Sequence, residues 1–255
     1  MFATRFMGAT LALFALASAG ATQAADTAPA GVKNIVIVPG AFTDGSTWRV
    51  VHDILRHKGY SVHVVQPRID SLAADADAVY RQLRKEAGPV LLVGSDYGGA
   101  VITQAGDRRK VRGLVYVAAV VPTVGESLLQ LLESRPGARP ELKASWDGYL
   151  YMDEQHYGDA LAADLTPNRS NYYAIAQVPE TIGAFRVPTA VAAWQTKPSW
   201  GVIATEDRFY NPALQRAMYQ RANATITEIK GSHLVYVAQP EAVAHVIENA
   251  AASLK

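Results

Sequence analysis

From Asn34 onward the apolar residues fall into two alternating kinds of run. Asn34–Val38 reads NIVIV, the continuous apolar text of a parallel strand buried on both faces. Residues 46–57 then place Trp48, Val51, Ile54 and Leu55 at helical spacing, with Ser46 as the predicted N-cap. The same alternation predicts a strand over 60–65, a helix over 73–86 and a strand over 90–93. A helix opening at Gly98 and Gly99 follows, then a very apolar strand over 111–121. Between about 122 and 195 the alternation lapses. That stretch holds Leu128-Leu129-Gln130-Leu131-Leu132, several prolines and many tyrosines, and it predicts a helical cap insertion without a buried strand. Strand text returns at 200–205 and 225–229, with helices over 212–222 and from Glu241 onward. Strands alternating with helices imply an α/β fold, its central sheet mostly parallel and its helices on both faces, because each parallel crossover needs a helix.

The first residues follow another pattern. Arg5 precedes the run ATLALFALASA (residues 9–19), and an alanine-rich exit ends near Thr22-Gln23-Ala24. A charged start, a short apolar middle and a small-residue exit predict a secretory leader over 1–24. The run is shorter than the roughly 20 apolar residues that span a bilayer. The expected mature domain is 25–255, periplasmic or secreted, with no membrane partner once the leader is removed.

Composition narrows the chemistry. With 255 residues, 49% of them hydrophobic, the chain can bury one full core. Twenty-four basic and 23 acidic residues leave a net charge of +1, which gives no electrostatic reason to expect nucleic acid as a partner. There is no cysteine, which excludes disulfides, thiolate nucleophiles and thiolate metal sites. Neither a phosphate loop nor a dinucleotide fingerprint is present, so no cofactor and no metal are expected. The expected partner is a small, largely apolar organic substrate; a homodimer is left open.

The informative stretch is Gly94-Ser95-Asp96-Tyr97-Gly98-Gly99, between a strand and a helix. Gly-x-nucleophile-x-Gly marks a sharp strand-to-helix turn that lifts its central side chain above the sheet edge. The flanking glycines make Asp96 the centre; choosing Ser95 would put Val93 and Tyr97 where the turn needs glycine. Asp207 ends the strand at 200–205, and His233 follows the strand at 225–229, giving the chain order nucleophile, acid, histidine. Glu206 and Glu126 are rivals for the acid. Among six histidines, His233 alone lies just after a strand, where the carboxyl ends of a parallel sheet gather. The backbone amides of Ala41, after the first strand, and of Tyr97 are candidate oxyanion-hole donors.

These residues resemble the α/β-hydrolase superfamily, in particular the small cap-bearing group related to plant hydroxynitrile lyases and methyl or salicylate esterases. The resemblance runs from about Asn34 to the end. It rests on residues 39–48 (PGAFTDGSTW), Tyr97-Gly98-Gly99-Ala100, Thr205-Glu206-Asp207-Arg208 and Gly231-Ser232-His233. It departs at the elbow, where relatives carry serine and this chain carries Asp96. An aspartate there resembles epoxide hydrolases and haloalkane dehalogenases of this fold. That likeness implies attack of Asp96 on an sp³ carbon to give an alkyl-enzyme ester, which water activated by His233 and Asp207 then hydrolyses. Epoxide opening is favoured, because Tyr149, Tyr151, Tyr157, Tyr172 and Tyr173 in the cap are possible acids for the opening oxygen. Trp146 and Trp194 are the candidate halide donors for a dehalogenase. Carboxylesterase-like hydrolysis, a lyase or isomerase with Asp96 as general base, and a non-catalytic binding protein remain open.

Overall fold

A computed structural model describes Met1, residues 29–135 and residues 142–255. The predicted leader over 1–24 lies outside the described residues, Met1 aside. In chain order the elements are β1 (Asn34–Val38), α1 (Arg49–His57), β2 (Ser61–Val64), α2 (Leu72–Lys85), β3 (Val90–Asp96), α3 (Gly98–Ala105) and β4 (Val111–Ala119). The cap contributes α4 (Leu128–Ser134), β5 (Leu142–Ala144), β6 (Tyr149–Met152), α5 (Glu154–Leu161), α6 (Pro167–Ile175), β7 (Glu180–Thr181) and α7 (Ile182–Arg186). The chain then returns through β8 (Ser199–Ala204), α8 (Pro212–Arg221), β9 (Thr225–Ile229), α9 (Val235–Ala238) and α10 (Pro240–Ser253).

Six strands pair in the order β2-β1-β3-β4-β8-β9, every pair parallel. All seven residues of β3 are buried, as the unbroken apolar text of a central strand requires. Helix α1 packs with α10 and α2 with α3, covering the sheet. The chain leaves β1 toward β2 and re-enters on the other side of β1 with β3. That reversal opens a crevice beyond the carboxyl ends of β1 and β3, where parallel sheets hold their ligands. The turn after β1 and the turn after β3 meet there.

Two expectations need correction. Ser46 does not cap α1: Asp44 caps a short 3₁₀ turn over Gly45–Trp48, its carboxylate accepting from Ser46 N at 2.9 Å, and α1 continues from Trp48 with no side-chain cap. The cap also carries sheet as well as helix, since β5, β6 and β7 form a small antiparallel sheet. These strands are two to four residues long and only partly buried, so no continuous apolar run announces them. Their hairpin does leave a signal: Asp147-Gly148, with Gly148 at φ +87°, lies in the turn between β5 and β6. Among the described residues, no helix is long and apolar enough to cross a membrane.

Candidate active site

Strand β3 ends in a turn that few sequences can make. Asp96 adopts φ +50°, a left-handed conformation costing an L-residue about 1–2 kcal/mol. A Cβ on Gly94 would lie 2.5 Å from the Gly98 carbonyl oxygen, and one on Gly98 would lie 2.2 Å from the Val38 carbonyl oxygen. The turn therefore closes only with glycine at both positions. Val120 N, donating to the Asp96 carbonyl at 3.2 Å, ties the turn to the end of β4. Ser95 stays inside the strand, buried, and its hydroxyl accepts from Trp48 Nε1 at 3.3 Å.

The Asp96 carboxylate is nearly sealed from solvent, and its two oxygens have different surroundings. Oδ2 accepts from Ala41 N at 2.7 Å. The approach is close enough that a Cβ on Gly40 would lie 2.3 Å from Asp96 Cβ. Oδ1 has no hydrogen-bond partner among the described residues and lies 3.9 Å from His233 Nε2. The buried Tyr210 hydroxyl, also without a partner, faces the same carboxylate. Burial pushes the Asp96 pKa up to about 6, against the opposing pull of His233, Tyr210 and the Ala41 amide. The amide of Tyr97 opens α3, where unpaired N–H groups favour negative charge. The Tyr97 side chain turns elsewhere, its hydroxyl donating to Asp75 Oδ2 at 2.9 Å.

His233 and Asp207 form the second half of the site. His233 Nδ1 and Asp207 Oδ2 are 2.8 Å apart, both side chains buried. Asp207 is held in turn: Oδ1 accepts from Phe209 N and Tyr210 N, and Oδ2 also accepts from Gln215 Nε2 at 2.8 Å. Phe209 and Tyr210 set their rings edge-on to the imidazole, with centroids 5.2 and 5.0 Å away. Burial opposes the imidazolium, but the Asp207 and Asp96 carboxylates outweigh it and raise the His233 pKa. With Asp207 at Nδ1, Nε2 is the nitrogen turned toward Asp96. The rival acids are placed elsewhere. Glu126 forms a bidentate pair with Arg221, and Glu206 lies exposed near Lys230.

The cap tyrosines separate by position. Tyr157 is fully buried beside the site and donates its hydroxyl to the Phe42 carbonyl at 2.9 Å. Tyr173, half-buried, lies near it. Tyr149 donates to Asp70 at 3.2 Å, while Tyr151 and Tyr172 point into solvent and are not brought to the carboxylate. Neither candidate halide donor is aimed at Asp96: Trp146 is exposed, and Trp194 gives its indole N–H to the Pro122 carbonyl at 2.8 Å.

Two site residues escaped the sequence reading. Tyr210 lies in the loop between β8 and α8, three residues past Asp207, with no pattern to mark it. Glu180 begins β7 in the cap and is wholly buried, with neither carboxyl oxygen hydrogen-bonded among the described residues. Burial, and then the charges of Asp96 and Asp75, raise its pKa well above the usual carboxylate range. Among the described residues, no cluster of three or more His, Asp or Glu side chains could hold a metal ion.

Comparison with known proteins agrees with this architecture. The Alpha/beta hydrolase family matches over residues 35–246. An alpha/beta hydrolase, nvfD, from Aspergillus novofumigatus is 26% identical over 240 residues, covering 85% of this chain and 96% of that protein. A carbendazim-hydrolyzing esterase from Nocardioides is 29% identical over 182 residues, covering 63% of this chain and 74% of that protein. Among solved structures, a pyrethroid hydrolase from Sphingobium faniae superposes with a TM-score of 0.74 at 21% identity, covering 86% of this chain and 97% of that one. Tomato methylketone synthase I superposes with a TM-score of 0.76 at 16% identity, covering 88% and 99%.

Proposed function

Because this chain belongs to the Alpha/beta hydrolase family, we propose that it hydrolyses a small epoxide through a covalent intermediate on Asp96. The observation that carries this reading is the asymmetry of the carboxylate: Oδ2 is held by Ala41 N, and Oδ1 is buried without a hydrogen-bond partner among the described residues. In the first step Oδ1 attacks a ring carbon of the epoxide. The C–O bond breaks, its electron pair stays on the oxygen, and a nearby O–H supplies a proton. Oδ2 becomes the carbonyl oxygen of the new ester, already seated at the Ala41 amide.

In the second step His233 Nε2 takes a proton from water as that water attacks Asp96 Cγ. Asp207 steadies the imidazolium, and the Ala41 and Tyr97 amides hold the oxyanion. The imidazolium returns the proton to the departing alkoxide, releasing a diol. An oxygen leaving group fits better than a halide, since the buried Tyr210 hydroxyl faces the carboxylate while Trp146 is exposed and Trp194 gives its N–H to the Pro122 carbonyl. The esterase named among the relatives acts on carbendazim. A carboxylate nucleophile suits acyl transfer poorly, because attack on an ester would leave a labile anhydride.

A second reading keeps Asp96 as a general base, which its raised pKa and unpaired Oδ1 would also suit. One turnover in H₂¹⁸O separates the two. Attack by Asp96 puts the heavy oxygen into the Asp96-containing peptide and leaves the first diol unlabelled. Direct attack by water labels the diol instead and would sink the covalent reading.

A further inference from the structure

Glu180 is the feature of the site that the two steps above leave unused. Strand β7 is clamped over the crevice. On one side Val178 O accepts from Phe42 N at 3.0 Å, next to the Ala41 amide that holds Asp96. On the other, Thr181 N donates to Ile69 O and Thr181 Oγ1 to Asp70 O. The carboxyl fixed between these anchors is wholly buried and pairs with no cation or hydrogen-bond donor among the described residues. The charges that bear on it are those of Asp96 and then Asp75, and its own charge bears on the Tyr97 and Tyr210 hydroxyls. An ionised carboxylate there would be a second buried negative charge with nothing to offset it, which is among the costliest arrangements a protein interior can hold. A neutral carboxyl meets no such penalty and carries a proton it has nowhere else to place.

We infer that Glu180 is the acid of the reaction, a neutral carboxyl in the cap that hands its proton to the epoxide oxygen as Asp96 opens the ring. This rests on the reading of Asp96 as nucleophile. The proton balance closes over one cycle. Attack by Asp96 Oδ1 forms the C–O ester bond and breaks the ring C–O bond, while the Glu180 proton moves to the ring oxygen and leaves a carboxylate. Hydrolysis of the ester consumes one water and regenerates Asp96 as a carboxylic acid. That proton then returns to Glu180, so the pair enters the next cycle with one proton between them. Tyr210 is placed to hydrogen-bond the opening oxygen. Its phenol is a poor proton source, because burial and the Asp96 charge raise its pKa far above 10. Burial raises both carboxyls, but Asp96 has the Ala41 amide at one oxygen while Glu180 has no donor at either among the described residues, so Asp96 is the one that carries the charge and Glu180 the one that keeps the proton.

The test uses the full chain carrying His233→Ala, in which the alkyl-enzyme should accumulate and be followed by intact mass. Adding Glu180→Gln should cut the rate of alkylation by an aryl epoxide about 100-fold, the lower range for loss of a general acid. Alkylation by a bromide of the same skeleton, whose leaving group needs no proton, should fall far less. Equal losses with both reagents would make Glu180 a structural residue and overturn the inference, as would no loss with either. Failure of the His233→Ala parent to form any adduct would remove the nucleophile reading, and this inference with it. Infrared spectroscopy supplies a check without substrate. At pH 8 a neutral carboxylic acid band should be present in the parent and lost in Glu180→Gln. No such change would overturn the neutral donor even if Asp96 forms its ester.

Discussion

Replacing Asp96 by asparagine should stabilise the protein, and by an amount that grows with pH. Asparagine keeps the shape of the side chain, and its carbonyl can still accept from Ala41 N, the 2.7 Å contact now made by Oδ2. What it removes is a buried charge whose other oxygen has no hydrogen-bond partner among the described residues. The carboxyl pKa is raised from 3.8 to about 6 in the folded chain, chiefly by burial. Below 3.8 folded and unfolded chains both hold the proton, and the group contributes nothing. Between the two values the unfolded chain releases it first, so wild-type stability falls as pH rises. Above about 6 the full deficit is present, ~3 kcal/mol from the rise in pKa. By the same linkage the advantage of Asp96→Asn should be about 1 kcal/mol at pH 4.5 and about 3 kcal/mol at pH 8. For a domain of this size the larger figure corresponds to a Tm gain of roughly 6–12 °C. Reversible urea denaturation of both proteins at the two pH values measures the difference, with unchanged m-values as the control. A gap that stays constant or shrinks between pH 4.5 and pH 8 would refute the idea that this carboxylate is held in the fold at a cost.

The other predictions are simpler to state. Single-turnover alkylation should climb with pH to a plateau above about 6 as Asp96 ionises, and a rate flat from pH 4 to 8 would count against it as nucleophile. Hydrolysis of the ester needs neutral His233, whose imidazolium Asp207 still favours once the ester has discharged Asp96, so the alkyl-enzyme should accumulate at low pH and clear as pH rises through the histidine limb. Tyr157→Phe leaves the buried Phe42 carbonyl without its donor and should cost about 1–3 kcal/mol in urea denaturation, with a raised KM as the cap loosens on the oxyanion turn. Asp96→Ser empties the Ala41 amide and should gain hydrolysis of a chromogenic ester while losing epoxide turnover; an inactive but folded serine variant would speak against His233 being aimed at this position. The full chain expressed in a Gram-negative host should be recovered from the periplasm with a mass beginning at Ala25, and an unprocessed N-terminus would refute the predicted leader.

The central sheet was legible because its inner strands β1, β3, β4 and β8 are buried on both faces. β1 and β9 fall where continuous or β-rich text places them, and β4 and β8 lie within two residues of it. β3 runs three residues further than its apolar text, since Gly94, Ser95 and Asp96 continue the pairing with little strand propensity of their own. The elbow was legible for a steric reason: Gly94 and Gly98 sit where any Cβ would strike backbone. The cap was not. Its strands are short and mostly half-exposed, with neither an apolar run nor a clean alternation, so sequence text there resembles loop. Pro179-Glu180-Thr181 reads as the approach to a helix, and Thr181 does cap α7, accepting from Ala184 N. Nothing in those three letters says that the glutamate is wholly buried without a hydrogen-bond partner among the described residues. Which cap residue enters a site is fixed by tertiary contacts, here those of Val178 and Thr181, and sequence spacing does not carry them.

An aspartate at this turn also changes what the surrounding machinery can do. With serine, the amide after β1 would wait empty for a substrate carbonyl. Here Asp96 Oδ2 occupies it from the outset, so an incoming ester finds the Ala41 donor already taken. The α3 N-terminus and the Ala41 amide both favour negative charge, yet the pKa of Asp96 still rises, because a helix end contributes about 0.3–1 kcal/mol and burial outweighs it. The resting site thus holds its charge at a cost. In the proposed cycle, forming the alkyl ester would discharge Asp96 without moving Oδ2 from its donor, so the first step would relieve the cost the fold maintains. The same ester carbonyl then lies where the Ala41 amide can take up the oxyanion in the second step. One backbone N–H would serve both halves of the proposed cycle because an aspartate nucleophile, unlike a serine, carries its own carbonyl oxygen into the hole.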